Sequence, residues 1–262
     1  MASLSQSEPP DEYEALSASY DLIYADWRGS IRRQCDALDR LIRAELGTGP
    51  LSVLDASCGI GTQAIGLARL GYRVHGADVS PAQVERARCE AVAAGVTVPF
   101  AVADMRQLES RIEGRFDVVL SADNAVAHLL TEEDLALAAR SMRERLCDGG
   151  LLVVTTRDYD ALLREKPRAS TPGVFDGPEG RRIVFHVFDW DREGDSYRTN
   201  IFLLRQSGDG WTTLHWSACS RAWRRGEIDR ALSAAGFAGT RWSMPEESGF
   251  FQPLVTARRG PA

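Results

Sequence analysis

Two glycines and an acidic residue follow the first short apolar run of the chain, where they could form a ligand-binding turn. The segment LSVLDASCGIGT, residues 51–62, contains Asp55, Gly59 and Gly61. Glycine permits backbone conformations that a side chain would forbid, so a ligand can approach the main-chain N–H groups closely. With Ala64 the glycines satisfy the loose G-x-G-x-x-G/A pattern. The pattern predicts a strand, this turn and a helix from about residue 62 to 70, and it suits either a dinucleotide or another adenosine cofactor.

A second acidic residue stands where a carboxylate could bind a ribose. The run YRVHGAD, residues 72–78, predicts a second strand that ends in Asp78. This residue follows the glycine turn by about 20 positions, the spacing at which a carboxylate can bind both ribose hydroxyls. Asp78 is therefore the strongest single assignment that the residues support.

Three further apolar runs predict more strands of the same sheet. They are VPFAVADM (98–105), which ends in Asp104 and Met105, RFDVVLSA (115–122) and DGGLLVVT (148–155). A nicotinamide enzyme would usually lack the Asp-Met pair and the Asp-Gly-Gly turn before the fifth strand.

The ordered series VLDASCGIGT, GADVS, VADM, FDVVLSADNAVAHL and LCDGGLLVV resembles the class I S-adenosylmethionine-dependent methyltransferases over roughly residues 50–157. The resemblance implies an α/β fold, with a seven-stranded, Rossmann-like, mostly parallel sheet and helices on both faces. It implies S-adenosylmethionine as the cofactor and S-adenosylhomocysteine as the product. The residues that it assigns to cofactor binding are Tyr24, Asp55, Ser57, Gly59, Gly61, Asp78, Val79, Asp104, Met105 and Ala122.

Two strand ends carry residues that could bind the substrate. Strand four runs into SADNAVAH (121–128) and strand five into TRDYD (156–160). Here the resemblance narrows to the glycine and sarcosine N-methyltransferases, which have an asparagine and a histidine four residues apart after strand four and Arg-x-Tyr-Asp after strand five. By position, Arg157 would bind a substrate carboxylate, and Asn124 would help to hold the amine or carboxylate. Tyr24 would form a wall of the same pocket.

The arginine assignment also has a physical basis. A guanidinium fits a carboxylate through two parallel N–H···O bonds, which fix orientation as well as charge. The alternative is that Arg157 pairs with Asp158 or Asp160 and only closes the strand end. Both interpretations remain open from the sequence.

The histidines divide into two groups. His75 and His186 lie inside apolar strand runs, where we expect core residues with a satisfied hydrogen bond. His128 follows Asn124 by one helical turn and so shares its face. It and Tyr24 are the candidates to accept the proton of an acceptor ammonium. Five widely spaced cysteines without a C-x-x-C pair predict neither disulfides nor a metal site.

The chain divides into three predicted parts. Residues 1–46 form an N-terminal helical cap of two helices, 47–163 with 223–262 form the methyltransferase core, and 164–222 form an antiparallel lid. Hairpin-like runs separated by Gly and Asp clusters predict the lid, which would cover the substrate pocket. Tyr20, Tyr24 and Trp27 either cross the mouth of the cofactor pocket or only pack against the core.

Composition agrees with an ordinary soluble enzyme, and the resemblance implies a small-molecule acceptor. The chain has 262 residues, 44% of them hydrophobic, and 31 basic against 37 acidic residues give a net charge of −6. This charge argues against nucleic acid and membrane partners. No secretory signal is recognisable, so we expect a cytoplasmic protein, and a homo-oligomer remains open. The expected acceptor is a small carboxylate-bearing amine; O- or C-methylation of another small acid and a noncatalytic cofactor-binding protein are the alternatives.

Overall fold

The computed structural model describes residues 17–177, 180–192 and 194–260, and its strands form two separate sheets. The strands are β1 (Ser52–Asp55), β2 (Arg73–Asp78), β3 (Phe100–Val102), β4 (Phe116–Ser121), β5 (Leu146–Thr155), β6 (Gly173–Gly177), β7 (Gly180–Trp190), β8 (Ser196–Ser207), β9 (Gly210–Arg221), β10 (Phe237–Ser243) and β11 (Leu254–Arg259). The helices are α1 (Trp27–Leu46), α2 (Thr62–Arg69), α3 (Pro81–Ala94), α4 (Glu132–Glu144), α5 (Tyr159–Glu165), α6 (Arg225–Ala234) and α7 (Pro245–Ser248).

The larger sheet has seven strands in the order β10-β11-β5-β4-β1-β2-β3. Strands β1 to β5 pair in parallel, whereas β11 is antiparallel to both β5 and β10. Strands β1, β4 and β5 are almost continuously apolar because both of their faces are covered by helices. The predicted fold class, a mostly parallel α/β sheet, is confirmed.

Two apolar layers enclose this sheet. Helices α1, α2 and α3 pack on one face, over residues such as Val53 and Leu120. Helices α4 and α6 pack on the other face, over Leu54 and Val119. The alternation of neighbouring β1 residues between the two layers follows from the two-residue period of a strand.

Local signals explain where the site-forming helices begin. Helix α2 starts directly after Gly61, whose φ of +94° favours glycine. Helix α3 begins at Pro81 after the Ser80 hydroxyl, which accepts a hydrogen bond from the Gln83 N–H at 3.3 Å. The carboxyl ends of β1 and β2 are thereby linked to helix N-termini at one edge of the sheet.

The second sheet is antiparallel, with the order β6-β7-β8-β9, and confirms the predicted layer after strand five. Its apolar residues Val184, Leu203 and Trp216 pack against Tyr20 and Ile23 of the N-terminal segment. A second cluster, which includes Tyr197, joins it to Tyr159 of α5 and Ala127 after β4. We call this sheet the lid sheet.

The N-terminal prediction is only half right. Helix α1 is present, but the predicted helix before it is a 3-10 turn over Tyr20–Ile23 followed by an extended residue at Tyr24; its predicted start, residues 12–16, lies outside the described residues. The carbonyls of Leu22, Tyr24 and Ala25 accept hydrogen bonds from Arg182 of β7, which connects this non-helical stretch to the lid sheet. Within the described part of the chain, no helix is long and apolar enough to cross a bilayer.

Candidate active site

The glycine turn joins β1 to α2 at the carboxyl edge of the parallel strands. The Cys58 N–H donates to the Ala77 carbonyl at 2.8 Å, which ties the turn to β2. Gly59 and Gly61 have φ angles of +52° and +94°. A Cβ built on Gly59 would have only the Gln83 amide oxygen nearby, at 3.7 Å. Gly59 therefore has open space beside it, as a closely approaching ligand requires, whereas a Cβ on Gly61 would meet Ile65 at 2.8 Å.

Asp78 ends β2 with both of its carboxylate oxygens fixed by the backbone. One accepts from the Gly59 N–H at 2.8 Å and the other from the Ser80 N–H at 3.0 Å. Burial raises the pKa of this carboxyl. Each oxygen keeps a further lone pair, so the fixed carboxylate can accept from two adjacent hydroxyls.

Three buried oxygen acceptors around the turn have no hydrogen-bond partner: Asp55 Oδ2, Gln83 Oε1 and Asp123 Oδ1. Asp55 is fully buried, and burial, then the charges of Asp78 and Asp123, raise its pKa to about 8. An unmade buried hydrogen bond costs about 1–3 kcal/mol. These acceptors thus fit a ligand that brings hydrogen-bond donors and positive charge, and S-adenosylmethionine has an ammonium, a sulfonium and two ribose hydroxyls.

Tyr24 lies beside this group. Its hydroxyl donates to Asp123 Oδ2 at 3.0 Å, and the Gln63 amide donates to the same oxygen at 3.3 Å. Burial, then Tyr20 and Asp123, raise the pKa of the Tyr24 phenol well above its usual value. Tyr24 is therefore a neutral donor. Trp27 is buried and donates its indole N–H to the Thr62 hydroxyl at 3.0 Å, so its contacts are those of core packing.

The remaining predicted cofactor residues extend along the same edge. Val79 and Asp104 line a cleft of about 390 Å³ at the ends of β2 and β3, and Met105 packs on the core beneath. The Asp104 carboxylate pairs with Arg106 at 2.6 Å. A larger cavity, of about 690 Å³, lies at the β8–β9 turn, away from this edge.

Two small residues complete the wall between β1 and β4. The Ser57 and Ser121 hydroxyls are 3.0 Å apart, and Ala122 is buried beside them. The structure thus brings every predicted cofactor residue to one edge of the parallel sheet, with Tyr24 facing it from the N-terminal segment.

Asn124 supports the end of β5. Its φ is +69°, a left-handed conformation that asparagine tolerates better than most residues. Its amide oxygen accepts from the Thr156 hydroxyl and from the Arg157 backbone N–H, both at 3.1 Å. These contacts are those of a residue that positions Arg157.

Arg157 is half-buried between β5 and the lid sheet. One guanidinium nitrogen is 3.5 Å from the Tyr197 hydroxyl, and the guanidinium carbon lies 5.5 Å from the centre of the Phe188 ring. The alternative of local pairing is wrong, because Asp158 and Asp160 both bind Arg225, at 3.4 and 2.8 Å. Among the described residues, no carboxylate lies within 4.0 Å of the Arg157 guanidinium.

His128 follows β4 as an exposed residue that contacts β9 of the lid sheet. Its Nδ1 is 3.1 Å from the Cys219 carbonyl, which can only accept a hydrogen bond. This contact places the proton on Nδ1 and the lone pair on Nε2. Desolvation, and to a smaller extent Arg157, lower the pKa of the ring. His128 is therefore neutral at neutral pH.

The expectation for His186 is wrong in one respect. It lies in β7 as predicted, but its Nε2 is buried without a hydrogen-bond partner. Gln83 and Asp123 were not predicted, whereas Tyr197 was among the aromatic residues expected to shape the substrate pocket. Asp123 stands within the run after strand four, where a polar residue beside Asn124 was a usable signal; nothing in the sequence distinguishes Gln83 from ordinary helix residues.

Comparison with known proteins agrees with this geometry. Residues 53–150 match the family described as Methyltransferase domain. A glycine/sarcosine N-methyltransferase of Parasynechococcus marenigrum is 33% identical over 69% of this chain and 66% of its own length. A ubiquinone biosynthesis O-methyltransferase of Cereibacter sphaeroides is 36% identical over 45% of this chain and 46% of its own. The chain thus spans two thirds or less of these relatives.

A solved structure covers nearly the whole chain. The S-adenosylmethionine-bound amino pentose methyltransferase CalS10 from Micromonospora echinaspora superposes with a TM-score of 0.72, at 22% identity, over 99% of both chains. At this identity the likeness establishes the fold. The fold, the family match and the residues at the glycine turn agree, and the chain belongs to the class I S-adenosylmethionine-dependent methyltransferases.

Proposed function

We propose that this protein transfers the methyl group of S-adenosylmethionine to a small carboxylate-bearing amine of the glycine or sarcosine type. One observation carries the choice of acceptor. Arg157 is a half-buried cation beneath the lid sheet, and the nearest acidic residues in the chain, Asp158 and Asp160, are bound to another arginine. A carboxylate ligand would supply the partner that the described protein does not.

The cofactor would be held by the edge of the parallel sheet. Asp78 is suited to the ribose hydroxyls, and Val79 with Asp104 to the adenine side of the cleft. Asp55 and Asp123, with their unpartnered oxygens, would face the positively charged end. When bound, S-adenosylmethionine supplies an electrophilic methyl group.

The chain's own contribution is chiefly positioning. Arg157 would fix the acceptor through its carboxylate, while Asn124 fixes the Arg157 backbone. The amine, attached close to the carboxylate, would then be directed toward the edge where Tyr24 and Asp123 lie. Holding two reactants in line and excluding water can supply much of the rate of such a transfer.

Of the two proton acceptors considered, His128 is the better candidate. The Tyr24 phenol donates its proton to Asp123 and has a raised pKa, so it cannot take another group's proton at neutral pH. His128 has a lowered pKa and is neutral, and its Nδ1 proton is directed at the Cys219 carbonyl. It would accept the proton that an ammonium must lose before its nitrogen can attack.

O-methylation of another small acid is the second candidate. The relative from Cereibacter sphaeroides supports it, and His128 could deprotonate a hydroxyl as well as an ammonium. C-methylation shares the same requirement for a base. A noncatalytic cofactor-binding protein would show cofactor binding without transfer to any acceptor.

A paired acceptor screen tests the proposal. S-adenosylhomocysteine release is measured with glycine, sarcosine, a small phenolic acid, and the decarboxylated counterparts of each. We expect turnover of an amino acid and at least 10-fold lower kcat/KM for its decarboxylated counterpart, because a charge-assisted pair is lost. Equal turnover of the two members, or turnover of the phenolic acid alone, would contradict the proposed acceptor.

A further inference from the structure

His186 lies on the inner face of the lid sheet. Residues of one strand alternate between the two faces, so His186 shares a face with Val184 and Phe188 on β7. Val184 packs in the cluster that joins the lid sheet to Tyr20, and Phe188 packs in the cluster around Tyr197. His186 therefore stands between the two apolar contacts that connect the lid sheet to the rest of the protein.

Its ring is close to the proposed acceptor site. The His186 and Phe188 rings are 6.1 Å apart, and the Arg157 guanidinium lies 5.5 Å from the centre of that same Phe188 ring. Burial, then the Arg157 charge, lower the pKa of His186 to about 4. The imidazole is therefore neutral at neutral pH.

The hydrogen bonds at His186 do not explain why a polar ring is present. Ser170 bonds to the backbone of His186, through its hydroxyl and its N–H, both at 2.9 Å. The ring Nε2 is buried and unpartnered. A phenylalanine or leucine would fill the same space without the cost of an unmade hydrogen bond, about 1–3 kcal/mol. This cost is recovered if a ligand supplies the partner.

We propose that His186 is a specificity-determining residue, whose Nε2 hydrogen-bonds a polar group of the acceptor while Arg157 binds the acceptor carboxylate. This inference rests on the proposed function. The amine to be methylated must face the sheet edge, whereas His186 projects from the lid sheet, so the group that it binds is a third one. Among such amino acids, one with a polar side chain should therefore bind more tightly than glycine itself.

Matched acceptors separate the two interactions. Serine against alanine, and ethanolamine against ethylamine, differ by one hydroxyl and report on His186. Serine against ethanolamine, and alanine against ethylamine, differ by the carboxylate and report on Arg157. Each compound is titrated calorimetrically into the protein saturated with S-adenosylhomocysteine, and kcat/KM is measured with S-adenosylmethionine.

We expect the wild type to prefer the hydroxyl member of each pair by roughly 10-fold or more, the loss expected for a missing buried hydrogen bond. His186→Phe should abolish this preference, leave the carboxylate preference in place and raise the melting temperature. His186→Gln, whose amide can reach the position of Nε2, should restore part of the preference. His215→Phe is the control, since His215 is exposed and bonds to Asn200 of the lid sheet.

No hydroxyl preference in the wild type, including the absence of any binding, would overturn the role of His186. So would a hydroxyl preference that survives in His186→Phe. A hydroxyl preference without a carboxylate preference would instead contradict the proposed function while supporting the role of His186, because the ethanolamine and ethylamine pair carries no carboxylate.

Discussion

At the scale of single residues, the site combines buried acceptors without donors and a half-buried cation without an anion. Asp55, Gln83 and Asp123 each have an unpartnered oxygen at the glycine turn, and Arg157 has no carboxylate partner among the described residues. Such groups are costly to bury and gain most from a ligand of complementary charge. The proposed cationic cofactor and anionic acceptor would supply these complementary charges.

Asp55 makes cofactor affinity depend on pH. Its pKa is raised to about 8, so the carboxyl is mostly protonated at pH 7 in the protein alone. A cationic ligand favours the carboxylate, and the dissociation constant for S-adenosylmethionine should fall as the pH rises from about 6 to 9, by up to tenfold per unit below the pKa. Isothermal titration calorimetry across this pH range measures the dissociation constant. Buffers of different ionisation enthalpy also show how many protons are released on binding.

The same residue should affect stability without ligand. Its pKa is about 8 in the folded state against about 3.9 unfolded, so the folded state binds more protons between these values. The free energy of unfolding should therefore fall as the pH rises through that window, and Asp55→Asn should remove this part of the slope. The exposed Asp176 provides the control, Asp176→Asn. A cofactor affinity that is flat from about pH 6 to 9 would contradict the role of Asp55.

Arg157→Lys separates binding from packing. Lysine keeps the charge but loses the paired geometry, so kcat/KM for the acceptor should fall roughly 10²-fold, taking the lost contact as about 3 kcal/mol. Cofactor affinity and melting temperature should barely change, because Arg157 has no ion pair to lose among the described residues. Arg225→Lys weakens the contacts to Asp158 and Asp160. It should lower the melting temperature and leave kcat/KM for the acceptor nearly unchanged. Unaltered acceptor kinetics in Arg157→Lys would contradict the proposal that Arg157 binds the acceptor carboxylate.

The spacing of residues along the chain predicted the site residues that directly follow a strand. It did not predict those that are distant in sequence and come together only in the folded protein. Asp78 could be predicted because its distance from the glycine turn along the chain reflects one βαβ unit. The unpartnered atoms of Gln83 and His186 could not be predicted. The periodicity of a helix or strand indicates which face a residue lies on, but not whether a hydrogen-bond partner lies opposite that face. Whether Arg157 pairs locally depended on Arg225, 68 positions later in the chain.

At the scale of elements, the lid sheet holds the N-terminal segment in place. Arg182 of β7 donates to the carbonyls of Leu22, Tyr24 and Ala25 at 3.1, 2.8 and 3.0 Å, and its guanidinium lies 5.2 Å from the centre of the Phe175 ring. The segment carries Tyr24, which contacts Asp123. The lid sheet and Asp123 are therefore connected through the backbone and one side chain of this segment.

Arg182→Leu should loosen this connection. We expect faster hydrogen exchange over residues 17–30, and roughly 10-fold weaker cofactor binding, since hydrogen bonds to a charged donor are worth about 1.5–3 kcal/mol each. S-adenosylhomocysteine should slow exchange in this segment in the wild type. Arg181→Leu is the matched control, because Arg181 is exposed and pairs only within the lid sheet, with Asp176. Equal exchange in both variants would mean that the segment is held by apolar packing alone.

The elements themselves were largely predictable, and the exceptions have a common cause. Apolar runs with turn residues between them gave the parallel strands and the lid hairpins. The helix predicted to run through Tyr20 does not continue there, and Arg182, more than 150 positions away, binds the carbonyls of the non-helical stretch. Local pattern cannot include a long-range hydrogen bond of this kind.

At the scale of the whole molecule, the parallel sheet and the lid sheet meet at Arg157. Its guanidinium follows β5 of the parallel sheet and contacts Phe188 and Tyr197 of the lid sheet. The net charge of −6 suits a cationic cofactor better than an anionic dinucleotide.

The identity of the cofactor should be visible in the thermal stability of the whole protein, because only a ligand that binds the folded state raises its melting temperature. A ligand at 100 times its dissociation constant stabilises the folded state by about 2.7 kcal/mol, or roughly 5–10 °C for a chain of this size. S-adenosylmethionine and S-adenosylhomocysteine should produce this shift and nicotinamide dinucleotides should not. Asp78→Ala should reduce the shift, as it removes contacts worth about 1.5–3 kcal/mol each. A shift with NAD alone would contradict the assignment.

Transfer of a labelled methyl group tests the central claim most directly. The protein is incubated with S-adenosylmethionine carrying a deuterated methyl group and with a mixture of small amino acids and hydroxy acids, and the products are analysed by mass spectrometry. We expect one labelled methyl on the nitrogen of a carboxylate-bearing acceptor, equal in amount to the S-adenosylhomocysteine formed and strongly reduced in Arg157→Lys. Binding of S-adenosylhomocysteine without a labelled product, or a label only on acceptors that lack a carboxylate, would contradict it.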